Sequence, residues 1–120
     1  ENIRRVGEAA NLFFRQGAIV LCTFVSPYQQ DRDRARALIP EGRFFEVFVD
    51  APLDVVEERD PKGLYARARK GEISQMTGIS SPYEAPTDAE VHVHSDKDSV
   101  ERAVEQLMEV LGGAGVVERE

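Results

Sequence analysis

The chain has 120 residues, 42% of them hydrophobic and 31% charged, the balance of one soluble globular domain. Its net charge of -7 argues against a general nucleic-acid coat, because phosphate backbones attract basic surfaces. No apolar run approaches the roughly 20 residues that cross a bilayer, so no membrane partner is expected, and the lone Cys22 fits a reducing compartment such as the cytoplasm.

Taken in chain order, the first expected element is a helix from about Asn2 to Gln16. Ile3, Val6, Ala10 and Phe13 recur on one face, and Gly17 tolerates a left-handed cap. The chain opens at Glu1 inside this helical pattern and without Met, so upstream sequence is expected to be missing. Ala18 to Val25 is a nearly continuous apolar run, rich in β-branched residues. That pattern predicts a strand buried on both faces of a parallel sheet, ended by Ser26-Pro27-Tyr28, with Cys22 as a small buried hydrophobe. A polar helix follows from about Gln30 to Leu38, and Pro40-Glu41-Gly42 turns the chain.

Phe44 to Asp50 predicts a second buried strand, and Pro52 suits the first turn of the next helix. Asp60-Pro61-Lys62-Gly63 breaks that helix before a short cationic one from about Leu64 to Lys70. Gly71 to Asp88 carries Gly78, Pro82 and Pro86 and predicts an irregular lid or binding loop. Ala89 to His94 predicts the third strand. Asp98 and Glu101 form a capping-box pattern before a last helix with Val100, Ala103, Val104, Leu107, Met108 and Leu111 on one face. Gly112 and Gly113 are expected to end it, leaving residues 113 to 120 as a tail. Alternating helices and buried strands imply an α/β domain with a mainly parallel sheet.

Ligands of open α/β sheets bind beyond the carboxyl ends of the strands. The loops at Ser26-Pro27-Tyr28, from Asp50 to Lys62 and after His94 are therefore the expected site, with a cationic lid over them. Lys62, Arg67, Arg69 and Lys70 together would offset phosphate and sulfate charge. From charge alone the same stretch reads as a solvated helix face. Ser26 alone reads as a turn residue, Asn2 as a helix cap, and Lys62 as a solvated surface residue. His92 and His94 face one side of a strand, and their spacing permits shared metal ligation. No third ligand is evident from the sequence, so no metal site is assigned and both are read as structural.

Several words of the sequence resemble the adenylylsulfate (APS) kinase family. They are Glu1-Asn2-Ile3-Arg4-Arg5-Val6, Phe24-Val25-Ser26-Pro27-Tyr28 with Asp31-Arg32-Asp33, and Phe45-Glu46-Val47-Phe48-Val49-Asp50-Ala51-Pro52-Leu53. Arg59-Asp60-Pro61-Lys62-Gly63-Leu64-Tyr65 and the run from Gly71-Glu72-Ile73 through Thr77-Gly78-Ile79 to Ser81-Pro82-Tyr83-Glu84-Ala85-Pro86 complete the match, over about residues 1 to 110. Each word is weak alone; together, in order and in register, they are specific.

The resemblance implies a P-loop kinase-like α/β domain over residues 1 to 112, with a lid at about 62 to 88. It implies an enzyme that phosphorylates the 3′-hydroxyl of APS with ATP and Mg²⁺ to give 3′-phosphoadenosine 5′-phosphosulfate (PAPS), the activated sulfate donor. By the same resemblance Asn2, Val25, Ser26, Pro27, Lys62, Leu64 and Met76 would meet APS, and Arg59 would lie near the adenine of ATP. Ser26 matches the serine described in the family as a phosphoserine intermediate, although direct transfer from ATP is the mechanism favoured here. The family also implies a homodimer, and in some members fusion to ATP sulfurylase.

Two departures matter. Met76 stands where the family usually stacks phenylalanine on the APS adenine, and methionine covers a purine face less rigidly. Further, no Gly-Lys-Ser/Thr loop and no Asp-Gly-Asp occurs in the 120 residues, so the first strand, the phosphate-binding loop and the Mg²⁺ ligands are absent. These residues alone are expected not to transfer phosphate. Three readings follow: part of an active APS kinase, a non-catalytic nucleotide-sensing relative fused to ATP sulfurylase, or another small-molecule P-loop kinase.

Overall fold

The computed structural model describes residues 2–60, 62–73 and 82–118. Two compact units emerge, Glu1–Phe44 with Tyr83–Ala85, and Phe45–Pro82 with Pro86–Glu120. No helix among the described residues is long and apolar enough to cross a membrane.

The first unit is built on helices α1 (Asn2–Arg15) and α2 (Gln29–Ala37). Gly7 lets them approach: a Cβ there would lie 3.2 Å from Leu38 Cδ1 and 3.5 Å from Ala35 Cβ. Ile3, Val6 and Ala10 are half-buried as the periodicity requires, but Phe13 is 64% exposed and the buried residue of this helix is Asn11. Gly17, at φ 92°, turns the chain out of α1 as expected.

The expected strand from Ala18 to Val25 is not formed. Its residues join no ladder among the described residues, Leu21 and Val25 are 79% and 72% exposed, and Cys22 is exposed rather than buried. The reason is physical. An apolar run becomes a parallel strand only when a neighbour takes up its amides and carbonyls. The described chain offers this run no such neighbour.

The second unit holds the sheet. Strands β1 (Val47–Asp50) and β2 (Val91–His94) pair in parallel, Val47 with Val91 through Asp50 with His94. Side chains alternate, so the four valines share one face while Phe48, Asp50, His92 and His94 share the other. Val91 and Val93 are the buried strand residues, and helix α5 (Val100–Gly113) packs against β2. Between the strands run α3 (Leu53–Arg59) and α4 (Leu64–Arg69). β1 and β2 are shorter than the patterns at Phe44–Asp50 and Ala89–His94, but each lies inside its expected range.

The cap of α5 is Ser99, whose hydroxyl accepts from the Arg102 amide at 3.1 Å, so the Asp98–Glu101 expectation is off by one residue. The helix also runs through Gly112 and Gly113, and the left-handed residue that follows is Gly115 at φ 74°. Val100 and Val104, expected in the apolar stripe, are 77% and 52% exposed.

Candidate functional site

In the first unit, two loops are tied together around one guanidinium. Arg32, only 7% exposed, donates from Nη1 to the Ser26 carbonyl at 2.6 Å. From Nη2 it donates to the Glu84 carbonyl at 2.5 Å and to Gln29 Oε1 at 2.9 Å. The Glu84 amide donates to the Pro27 carbonyl at 2.8 Å, and the Glu84 carboxylate accepts from the Gln29 amide at 2.8 Å. That last bond satisfies one of the orphan donors at the start of α2 and sets a negative charge at its positive end. Arg32 thus does in this loop what a ladder does in a strand. It fixes Ser26 and Pro27, both half-buried, and leaves their Val25 neighbour open.

In the second unit, the Asp60-to-Gly63 turn positions Lys62. Asp60 Oδ2 accepts from the Ala66 amide at 3.1 Å, an acidic cap on α4, and Gly63 takes φ 66°, which favours a residue without Cβ. Lys62 is exposed beside this turn. The four cations expected to act together are not equivalent. Arg69 is held bidentately by Glu57, at 2.6 and 3.3 Å, and the hydrogen bond and charge of Glu57 raise its pKa further. Arg67 pairs with Glu72 at 3.3 Å. Lys62 and Lys70 have no such carboxylate among the described residues, so the basic stretch offers less free charge than its composition implies.

Beyond the strand ends, Ser95 caps the sheet, with its amide and hydroxyl both donating to the Asp50 carbonyl at 2.8 and 3.1 Å. Arg59 Nη1 donates to the Ser95 carbonyl at 3.0 Å, so Arg59 lies against the loop after β2. The loops after β1 and β2 therefore do meet at the carboxyl end of the sheet. Of the other residues singled out, Asn2 opens α1, exposed, Leu64 opens α4 at 36% exposure, and Met76 lies outside the described residues. Sequence reasoning missed the part played by Arg32 and Glu84. Both sat inside recognisable words, but only the fold brings residues 52 positions apart into contact.

A parallel β-α-β unit with its loops gathered at the carboxyl end of the strands defines the α/β class, and its likeness to a solved APS kinase makes the fold that of the P-loop kinases. The adenylylsulphate kinase family model matches residues 1–94, and the chain belongs to that family. An adenylyl-sulfate kinase of Acaryochloris marina is 53% identical over 118 residues, covering 98% of this chain and 58% of the relative. The bifunctional enzyme NodQ of Azospirillum brasilense is 48% identical over 98% of the chain but only 19% of its own length. A solved Mycobacterium tuberculosis APS kinase in complex with AMPPNP and APS superposes with a TM-score of 0.83 at 42% identity, covering 92% of this chain and 64% of that one. The chain thus spans about 58% of the length of the curated kinase it matches.

Proposed function

We propose that these residues form the APS-binding part of an adenylylsulfate kinase, which transfers the γ-phosphoryl of ATP to the 3′-hydroxyl of APS to give PAPS and ADP. The observation that carries this reading is the conjunction of the Arg32 clamp with 53% identity to a named adenylyl-sulfate kinase across the same segments. A substrate loop held before ligand arrives loses less entropy on binding. Val25, Ser26 and Pro27 would then line APS from one loop, with Asn2 from α1. Lys62 and Leu64 would meet APS from the turn before α4. Met76 would cover the APS adenine, and Arg59 would lie beside the adenine of ATP. In this mechanism the chain's own residues bind and orient the acceptor, and transfer is direct, without a Ser26 phosphate.

Mg²⁺ suits all-oxygen donor sets. Asp50, His92 and His94, the one grouping of three ligand-capable side chains within reach among the described residues, brings two imidazoles and does not fit it. No step is assigned through the ion. The cytoplasm and a homodimer belong to the same proposal, as do residues 1 to 112 as the domain and 113 to 120 as a tail. The Azospirillum relative favours one second reading, this stretch as one part of a longer chain with another activity, ATP sulfurylase by resemblance.

The test is PAPS formation from APS and ATP by the full-length protein, with Lys62→Ala beside it. Calorimetry should show APS binding weakened by about 1–3 kcal/mol in the variant, as for loss of a charged hydrogen-bond partner. Absence of PAPS from the full-length protein would overturn the proposal. Unchanged APS affinity in Lys62→Ala would reduce Lys62 to a solvated surface charge.

A further inference from the structure

Parallel pairing does something for His92 and His94 that their spacing alone does not. It sets Phe48 beside His92 and Asp50 beside His94, all on the sheet face opposite the valines. The Phe48 ring stacks on His92 at 4.7 Å and 14°. His92 Nε2 then lies 2.8 Å from Asp50 Oδ2, and the His94 ring stands 4.2 Å from that of His92. One ligand atom from each of Asp50, His92 and His94 lies within 4.8 Å of the others.

We propose that Asp50, His92 and His94 form a site for a divalent transition metal of the Zn²⁺ class, bridging β1 and β2 at the carboxyl end of the sheet. The donor set is two imidazole nitrogens and one carboxylate, which suits Zn²⁺, Co²⁺ or Ni²⁺ and disfavours Mg²⁺ and Ca²⁺. A tetrahedral Zn²⁺ with bonds near 2.0–2.2 Å needs its donors about 3.3–3.5 Å apart. His92 and Asp50 are closer than that now, and the third donor is at most 4.8 Å away, so shifts of about 1 Å assemble the sphere. The side chains are free to make them, since both imidazoles are exposed and Asp50 is half-buried. The backbone beneath is fixed, because the strands are paired and the Ser95 amide and hydroxyl lock the Asp50 carbonyl. Three protein donors leave the fourth position to water or an exogenous ligand. The plainer alternative, an exposed His–carboxylate pair, accounts for His92 and Asp50 but gives the adjacent His94 ring no part, and such pairs add little stability. The assignment rests on these three side chains and not on the APS and ATP reading.

The test uses the full-length protein carrying Cys22→Ser, which removes the exposed thiol as a rival ligand. Metal-free protein at pH 7.5 is titrated with Zn²⁺ by calorimetry, and with Co²⁺ by visible absorption. One equivalent of Zn²⁺ should bind and raise the melting temperature while equimolar Mg²⁺ does neither, and Co²⁺ should give the intense bands of a low-coordinate site. His94→Ala and Asp50→Asn should each weaken Zn²⁺ by at least about tenfold. If His94→Ala fails to fold, His94→Gln, which keeps much of the volume without the imidazole, supplies the same reading. Zn²⁺ binding no tighter than Mg²⁺, or equal Zn²⁺ affinity in the parent and all folded variants, would overturn the site.

Discussion

Ile19 to Val25 and Val47 to Asp50 are both short, apolar and rich in β-branched residues, and each leads into a loop proposed here to serve the nucleotide site. Yet the first joins no ladder among the described residues and leaves Leu21 79% exposed, whereas the second pairs along its whole length with β2. Intrinsic preference does not separate them. What separates them is a partner reached across sequence, since a parallel ladder needs a neighbour delivered by a crossover connection. Val47–Asp50 has that neighbour through α3 and α4. Ile19–Val25 is anchored at its C-terminal end, by Arg32 on the Ser26 carbonyl. Pattern confers the capacity to be a strand, and pairing makes it one.

The sharpest way to break this contrast is amide hydrogen exchange on the 120-residue chain. Amides of Phe48 and Val93, which the parallel register bonds across the two strands, should exchange at least about a hundredfold more slowly than those of Leu21 and Phe24, because the former open only with the sheet. Equal protection would mean that the apolar run has found a partner, and the distinction would collapse.

The next largest effect should come from Arg32→Ala. The variant strips donors from the Ser26 and Glu84 carbonyls at once, at about 1–3 kcal/mol for each acceptor left unsatisfied. Stability by urea denaturation should fall by about 2–4 kcal/mol, and exchange of the Gln29 and Glu84 amides, both bonded within this cluster, should rise to the level of Leu21. Arg32→Lys should recover little, because one ammonium does not reproduce the planar fork that reaches both loops. A stability loss within 0.5 kcal/mol, the range of an ordinary surface change, would remove the clamp from the account.

A matched pair of smaller substitutions sharpens the comparison further. Val91 is 1% exposed and Val25 is 72% exposed, so the same Val→Ala change deletes the same atoms in opposite settings. Val91→Ala should destabilise by about 2 kcal/mol through lost burial and the cavity left behind. Val25→Ala should stay within about 0.5 kcal/mol. Thermal unfolding of both proteins at one pH measures the difference directly, and similar losses would show that Val25 is buried in solution.

Much of this was legible in the residues. Helices α1 and α5 lie where three- and four-residue periodicity placed them, although Phe13, Val100 and Val104 of the expected stripes are exposed. The positions of β1 and β2, inside the apolar runs at 44–50 and 89–94, and the turn at Gly63 follow patterns that local chemistry also sets. What could not be read were relations between distant residues. Nothing local says that the Ala18 run finds no neighbour among the described residues, that Glu84 meets Arg32, or that Asp50 completes a group with His92 and His94. The same holds for charge. Lys62, Arg67, Arg69 and Lys70 look alike in sequence, and only the fold shows Glu57 and Glu72 engaging two of them.

The smallest expected effect tests the supported side of the comparison alone. Ser99 caps α5, which packs against β2 where Val91 and Val93 are buried. Ser99→Ala removes the acceptor for the Arg102 amide and should cost about 1 kcal/mol, whereas Ser99→Gly should cost only a few tenths. The loss should appear where α5 supports the sheet. Amides of Val91 and Val93 should therefore exchange several-fold faster in Ser99→Ala, since opening of the sheet becomes that much easier. Amides of Leu21 and Phe24 should not respond, because no ladder shields them to begin with. A uniform change across both runs would mean that the two units unfold together, and that the open run shares the stability of the sheet after all.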